Sequence, residues 1–340
     1  MKRNLILLLI VIILGLIAYF TVQKPENKAK NYDFSYREFA VKDIDQIHKI
    51  NIIKRNDKPL KFERQGKNWI INGKYLADET PMANILSVFK RVRIKYVPPD
   101  AAVENIMKSM IANSIKVELY DKENKPVKKF YVGGSPENTD GTYFVMEGSA
   151  KPLVMDVPGF KGNLRVRFNY TLDEWRDKSV ISEDPESLKE IAVKYYMDKN
   201  SSFKIVKNDS GNYDVLPAFE DQEKIDAAPD QKTIKSYLLG YESKKCEYIE
   251  NNMPDKNDII SRKPIADIFI KRDDNSTRSI TLYMLPSNDE EIQEDRSGLD
   301  KYLNQNVLRY IAKTDDGDLF LIQYEVFKDI FVRYRSFFKG

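Results

Sequence analysis

The sequence predicts an α+β fold: an N-terminal transmembrane helix followed by two tandem, internally duplicated domains with mainly antiparallel sheets and packed helices. Three observations predict it. An apolar run without a charge lies close to the N-terminus. Strand-like alternation, a helix with one apolar face and a set of hairpins follow it. The same order of patterns then restarts near Asp184.

The run extends from Leu5 to Val22, and Thr21 is its one clearly polar side chain. Eighteen helical residues rise roughly 27 Å, about the hydrocarbon thickness of a bilayer. The exit, Ala18-Tyr19-Phe20-Thr21-Val22-Gln23, has no A-x-A pattern, so the run reads as an uncleaved anchor rather than a signal peptide. Lys2 and Arg3 should hold the N-terminus in the cytoplasm, which places the rest on the periplasmic, extracytoplasmic side of the inner membrane. Residues 23–34 are polar and read as a tether.

The first domain is expected over residues 35–180 and the second over 181–340. Ile47, Ile50 and Ile52 alternate as a half-buried strand, and two short strands flank Gln65-Gly66-Lys67-Asn68. Asp78-Glu79-Thr80-Pro81 opens a helix, with Met82, Ile85, Leu86, Phe89 and Val92 on one face. A weaker helix spans 101–114. Hairpins are expected at 115–132 and 143–156, joined by the glycine-rich loop 133–141, and a short helix at 160–168 closes the set.

In the second half Leu188, Ile191 and Val193 repeat the first spacing, and Gly211 stands where Gly66 stood. Asp226-Ala227-Ala228-Pro229 repeats the D-x-x-P helix start, and Cys246-Glu247-Tyr248-Ile249 answers Ile94-Lys95-Tyr96-Val97. A segment at 327–338 closes this half.

Composition narrows the function. The chain is 42% hydrophobic and 31% charged, yet its net charge is only +3, which argues against nucleic-acid binding. A single cysteine allows no intramolecular disulfide, and a single histidine leaves little for a triad or a histidine metal site. P-loop, G-x-G-x-x-G, G-x-S-x-G and H-E-x-x-H motifs are absent. His48 reads as a structural residue facing inward or at a sheet rim, and Cys246 as an inert buried thiol. Trp69 and Trp175 read as core anchors. The acidic stretch from Asp289 to Asp300 reads as a solvated insertion; cation binding there is the alternative. No catalytic, cofactor or metal residue is assigned.

Trp69, Leu76-Ala77-Asp78 with its helix, Tyr131-Val132-Gly133, Gly141-Thr142-Tyr143-Phe144-Val145, residues 153–157 and Trp175-Arg176-Asp177-Lys178 together resemble the bacterial family called domain of unknown function 4340. The resemblance covers roughly residues 47–181. It implies membrane anchoring, a domain outside the cytoplasm and an auxiliary place in ABC-type transport systems, including those of gliding motility. It implies no active-site residue. The expected function is a non-enzymatic accessory subunit with protein partners; the alternative is a carboxylate-dependent hydrolase of envelope polymers.

Overall fold

The computed structural model describes residues 37–137, 140–285, 302–303 and 308–339. The anchor from Leu5 to Val22, the tether and the acidic stretch from Asp289 to Asp300 lie outside the described residues. Among the described residues no helix is long and apolar enough to cross a membrane. The fold is α+β with antiparallel sheets. Contacts divide the chain into two compact units: residues up to Tyr75 with Glu79–Asn169, and Leu76–Asp78 with Tyr170 onward.

The first unit contains β1 (Lys49–Ile53), β2 (Leu60–Gln65), β3 (Asn68–Ile71), β4 (Tyr75–Leu76, of which Leu76 is counted with the second unit), α1 (Glu79–Arg91), β5 (Arg93–Tyr96) and α2 (Asp100–Asn113). It continues with β6 (Ile115–Tyr120), β7 (Pro126–Val132), β8 (Thr142–Met146) and β9 (Leu153–Asp156). These strands form one sheet, ordered β4-β3-β2-β1-β6-β7-β8-β9-β5. Alternation puts Ile50, Ile52, Phe62, Val117, Leu119 and Phe130 inside. Helix α1 buries Met82, Ile85, Val88 and Phe89. Phe130 stacks on Phe144 at 5.4 Å, and Phe39, Phe89 and Phe168 pack edge-on or tilted around them. Helix α2 contributes Ile106 and Met110 to a second cluster with Val145 of β8. The closing helix expected at 160–168 is only a 3-10 turn, Leu164–Arg167, because Gly159 and Gly162 adopt positive φ just before it.

The second unit contains α3 (Leu172–Trp175), β10 (Ser179–Ile181), β11 (Leu188–Tyr195), β12 (Phe203–Lys207), β13 (Tyr213–Leu216), α4 (Gln231–Leu239) and β14 (Lys244–Lys245). After these come β15 (Tyr248–Ile249), α5 (Lys256–Ser261), β16 (Ala266–Arg272), β17 (Thr277–Met284), β18 (Arg309–Thr314), β19 (Leu319–Gln323) and α6 (Tyr324–Phe327). Its main sheet runs β13-β12-β11-β16-β17-β18-β19-β15, and β10 pairs with β14 separately. Phe203, Tyr237 and Phe337 pack together inside, and Tyr237 shares a 2.7 Å hydroxyl contact with Tyr241. Helix α5 buries Ile259 in a cluster with Tyr283, Ile311 and Leu319.

The strand order of the second sheet repeats β3-β2-β1-β6-β7-β8-β9-β5 of the first, position for position. Register agrees: Ile50 faces Leu119 as Ile191 faces Ile270. Turn chemistry agrees too. Positive φ falls at Gly66 and Gly211, at Asn124 and Asn275, and at Gly148 and Gly317 in corresponding hairpins. The second helix start differs from the D-x-x-P reading. Asp230, not Asp226, precedes α4, because Pro229 is held in a bridge to Phe338 and the Asp230 N–H donates to the Phe337 carbonyl at 2.8 Å.

Candidate functional site

Two of the sequence patterns meet in the second unit. Leu76-Ala77-Asp78 and Trp175-Arg176-Asp177 run antiparallel through a bridge between Ala77 and Arg176. The Asp78 N–H donates to the Trp175 carbonyl and the Asp177 N–H to the Leu76 carbonyl, both at 2.8 Å. Trp175 is fully buried at the end of α3, whose start is closed by a capping box: Thr171 and Glu174 bond reciprocally.

The polar groups of Arg176, Asp177 and Lys178 are engaged by neighbouring chain segments. Arg176, 6% exposed, grips both oxygens of Asp318 and reaches Asp173 at 3.2 Å. Asn251 donates to Asp318 at 2.7 Å and accepts from the Leu319 N–H at 2.8 Å. Asp177 accepts from the Ser179 N–H, and the Lys178 carbonyl accepts from the Cys246 N–H. The Lys178 ammonium lies 5.4 Å over the Tyr248 ring. Beside this clasp is a cleft of about 340 Å³ lined by Asp173, Glu174, Lys178, Tyr248 and Asn252. Its carboxylates are those of the capping box and the Arg176 pair, so they hold backbone and guanidinium rather than standing ready as acid and base.

A second polar cluster lies on the sheet of the first unit. Glu118 accepts from Asn51 at 3.0 Å and Tyr120 at 2.9 Å, and pairs with Lys116 at 2.8 Å; Lys116 also pairs with Glu147. Burial alone would raise the Glu118 pKa. The bonds from Asn51, Lys116 and Tyr120 outweigh burial and hold it at about 2, below the ordinary 4.5. The stability this carboxylate contributes is therefore complete above about pH 4.5 and lost as pH falls toward about 2. Glu118→Gln should cost about 2 kcal/mol near neutrality and flatten the stability profile across that acid window. Urea unfolding at stepped pH checks this; parallel acid limbs for both proteins would refute it.

A third cluster is cationic. Lys54, Arg55 and Arg165 line one cleft of about 430 Å³ in the first unit, together with Asp57, Asn113 and Ser114. Asn163 and Thr142 position Arg165. The Asn163 carboxamide accepts from the Arg165 N–H at 2.8 Å and from the Thr142 hydroxyl at 2.9 Å, and that hydroxyl accepts from the Leu164 N–H at 2.7 Å. The Arg165 guanidinium donates to the Val132 carbonyl at 2.9 Å, and burial pushes its pKa down.

The residues singled out by sequence are dispersed. His48 sits half-buried at the start of β1, its ring 3.3 Å from the Gln46 carbonyl. Cys246 lies in the second core, where burial raises its thiol to about 12. Trp69 is buried in β3 with Arg64 over its ring at 5.1 Å. Among the described residues no group of three or more His, Cys, Asp or Glu could hold a metal ion. Sequence reasoning missed Glu118 and Arg165. Glu118 falls on the outward phase of a strand, where alternation assigns only exposure, and Arg165 meets Lys54 only through the tertiary fold.

Neither the curated proteins nor the solved structures contain a match to this chain. One family model matches residues 73–256, starting beyond Trp69 and running on through β15 of the second unit, farther than the resemblance at 47–181 reached. The match takes in Leu76-Ala77-Asp78, Gly133, Gly141-Thr142 and Trp175-Arg176-Asp177-Lys178, and the chain belongs to the family described as domain of unknown function DUF4340.

Proposed function

We propose that this protein is a membrane-anchored envelope subunit that acts by binding rather than by catalysis, in an auxiliary role to a transport system of the ABC type. One observation carries the non-catalytic reading. The most distinctive residues, Leu76-Ala77-Asp78 with Trp175-Arg176-Asp177-Lys178, are engaged in holding chain segments together. A catalyst instead needs acids or bases positioned against a substrate. Anchoring is supported by the uncharged run from Leu5 to Val22 behind Lys2 and Arg3. The transport role is what the resemblance to this family implies.

We also propose that the two units descend from one duplicated unit. The shared strand order, the matched positive-φ turn positions and the paired helix starts at Asp78 and Asp230 support it.

Protease added outside the inner membrane should digest the described units, while the protein stays with membranes washed in high salt. Release as a soluble form shortened by about 20 residues, the mark of signal cleavage, would refute the anchor. Turnover of envelope polysaccharide or peptide by the purified protein would refute the non-catalytic reading in favour of a carboxylate-dependent hydrolase.

A further inference from the structure

We infer that the cleft of Lys54, Arg55 and Arg165 is a binding site for a phosphate group. Three cations and one carboxylate, Asp57, line it, so positive charge is in excess. Lys54 pairs with Asp57 at 3.2 Å. Arg55 donates to the Ala112 carbonyl at 3.2 Å and Arg165 to that of Val132. Neither arginine has a carboxylate partner among the described residues. Each guanidinium carries five N–H donors in a fixed fork, and a single backbone carbonyl uses one or two of them.

The bland reading makes both arginines carbonyl caps. Arg55 fits that reading well, since it lies at the C-terminal end of α2, where a cation is favoured. Arg165 does not. Arg165 is half-buried, and burial disfavours the charged form with no carboxylate partner among the described residues to offset the cost. A neutral hydrogen-bonding side chain could cap Val132 without that cost. The Asn163–Thr142 relay fixes the backbone from which Arg165 reaches the cleft. An oxyanion seated there would satisfy the remaining donors through charge-assisted bonds, with Arg165 as the bidentate clamp. The cleft is larger than a bare phosphate, so a phosphate ester with a small polar group fits it. Asn113 and Ser114 supply polar lining for that group.

The test is titration calorimetry on the full-length protein in detergent, at low ionic strength and in phosphate-free buffer. The probes are inorganic phosphate and glycerophosphoglycerol, the latter an anionic phospholipid headgroup without its chains. Saturable binding of either probe with one site per chain is the expected result. A preference for phosphate marks a free solute as the source, and a preference for the diester marks a lipid surface. Arg165→Gln and Arg55→Gln should each weaken binding about tenfold, and Asp57→Asn should strengthen it severalfold. Arg165→Gln also removes a cap, so its fold is checked by circular dichroism. Should that variant not fold, Arg55→Gln and Asp57→Asn decide alone, since both side chains are exposed. Absence of binding heat for both probes, or affinities unmoved by the folded variants, overturns the inference.

Discussion

Arg176→Gln should destabilise the second unit by about 3–5 kcal/mol, the cost of leaving a buried carboxylate without its cation. The Arg176 and Asp318 side chains are only 7% and 14% exposed, and the guanidinium holds both carboxylate oxygens. Asn251 ties Asp318 to the backbone of Leu319 at the start of β19, so the loss is felt beyond the pair. Arg176→Lys should lose most of the same stability, because an ammonium cannot bridge two oxygens in one plane. A double change, Arg176→Met with Asp318→Leu, should recover a large part of it, since a well-packed apolar pair replaces two desolvated charges. Urea unfolding followed by near-ultraviolet circular dichroism measures all three. Equal losses in the single and double variants would show that the clasp depends on side-chain shape rather than on charge.

What could be read from the sequence follows the reach of each signal. The hairpins of the first unit were legible because alternation and turn residues act within a few positions, and β6 to β9 fall close to their expected limits. The return of β5 to pair with β9, and of β15 with β19, was not legible, since no local pattern reports a long-range edge partner. Helix α5 was missed because six residues are too few for a helical period to stand out. The D-x-x-P pattern points to Asp226 where the structure starts the helix after Asp230, for a related reason. Both are acidic residues ahead of an apolar face, and the bond from Asp230 to the distant Phe337 carbonyl fixes the helix start. The cationic cleft was hidden likewise, its arginines standing far apart in sequence on β1's exit and a 3-10 turn. Asn124 and Asn275 take the left-handed conformation in corresponding hairpins, a conformation that asparagine tolerates better than most residues.

Gly141→Ala should destabilise the first unit by about 4 kcal/mol, through two effects that add. Gly141 has φ of +130°, a region that side-chain-bearing residues rarely adopt and that costs about 1–3 kcal/mol to hold. A Cβ there would also lie 2.6 Å from Cγ1 of Val154 and 3.2 Å from the Met155 carbonyl, inside van der Waals contact, and overpacking of this kind costs about 1–3 kcal/mol more. Neither neighbour can withdraw cheaply: Val154 is fully buried in β9, and Met155 is paired with Thr142. Val154→Ala should therefore relieve the clash but not the backbone strain, so the double variant should sit between Gly141→Ala and wild type once the cavity left by valine is counted. Gly148→Ala is the control. Its φ is +79° with nothing within 4 Å of the added Cβ, so it should carry strain without a clash and lose markedly less. Thermal and urea unfolding of the three proteins separates the two effects. Equal losses for Gly141→Ala and Gly148→Ala would show that backbone conformation alone, and not the close approach of β9, requires glycine at position 141.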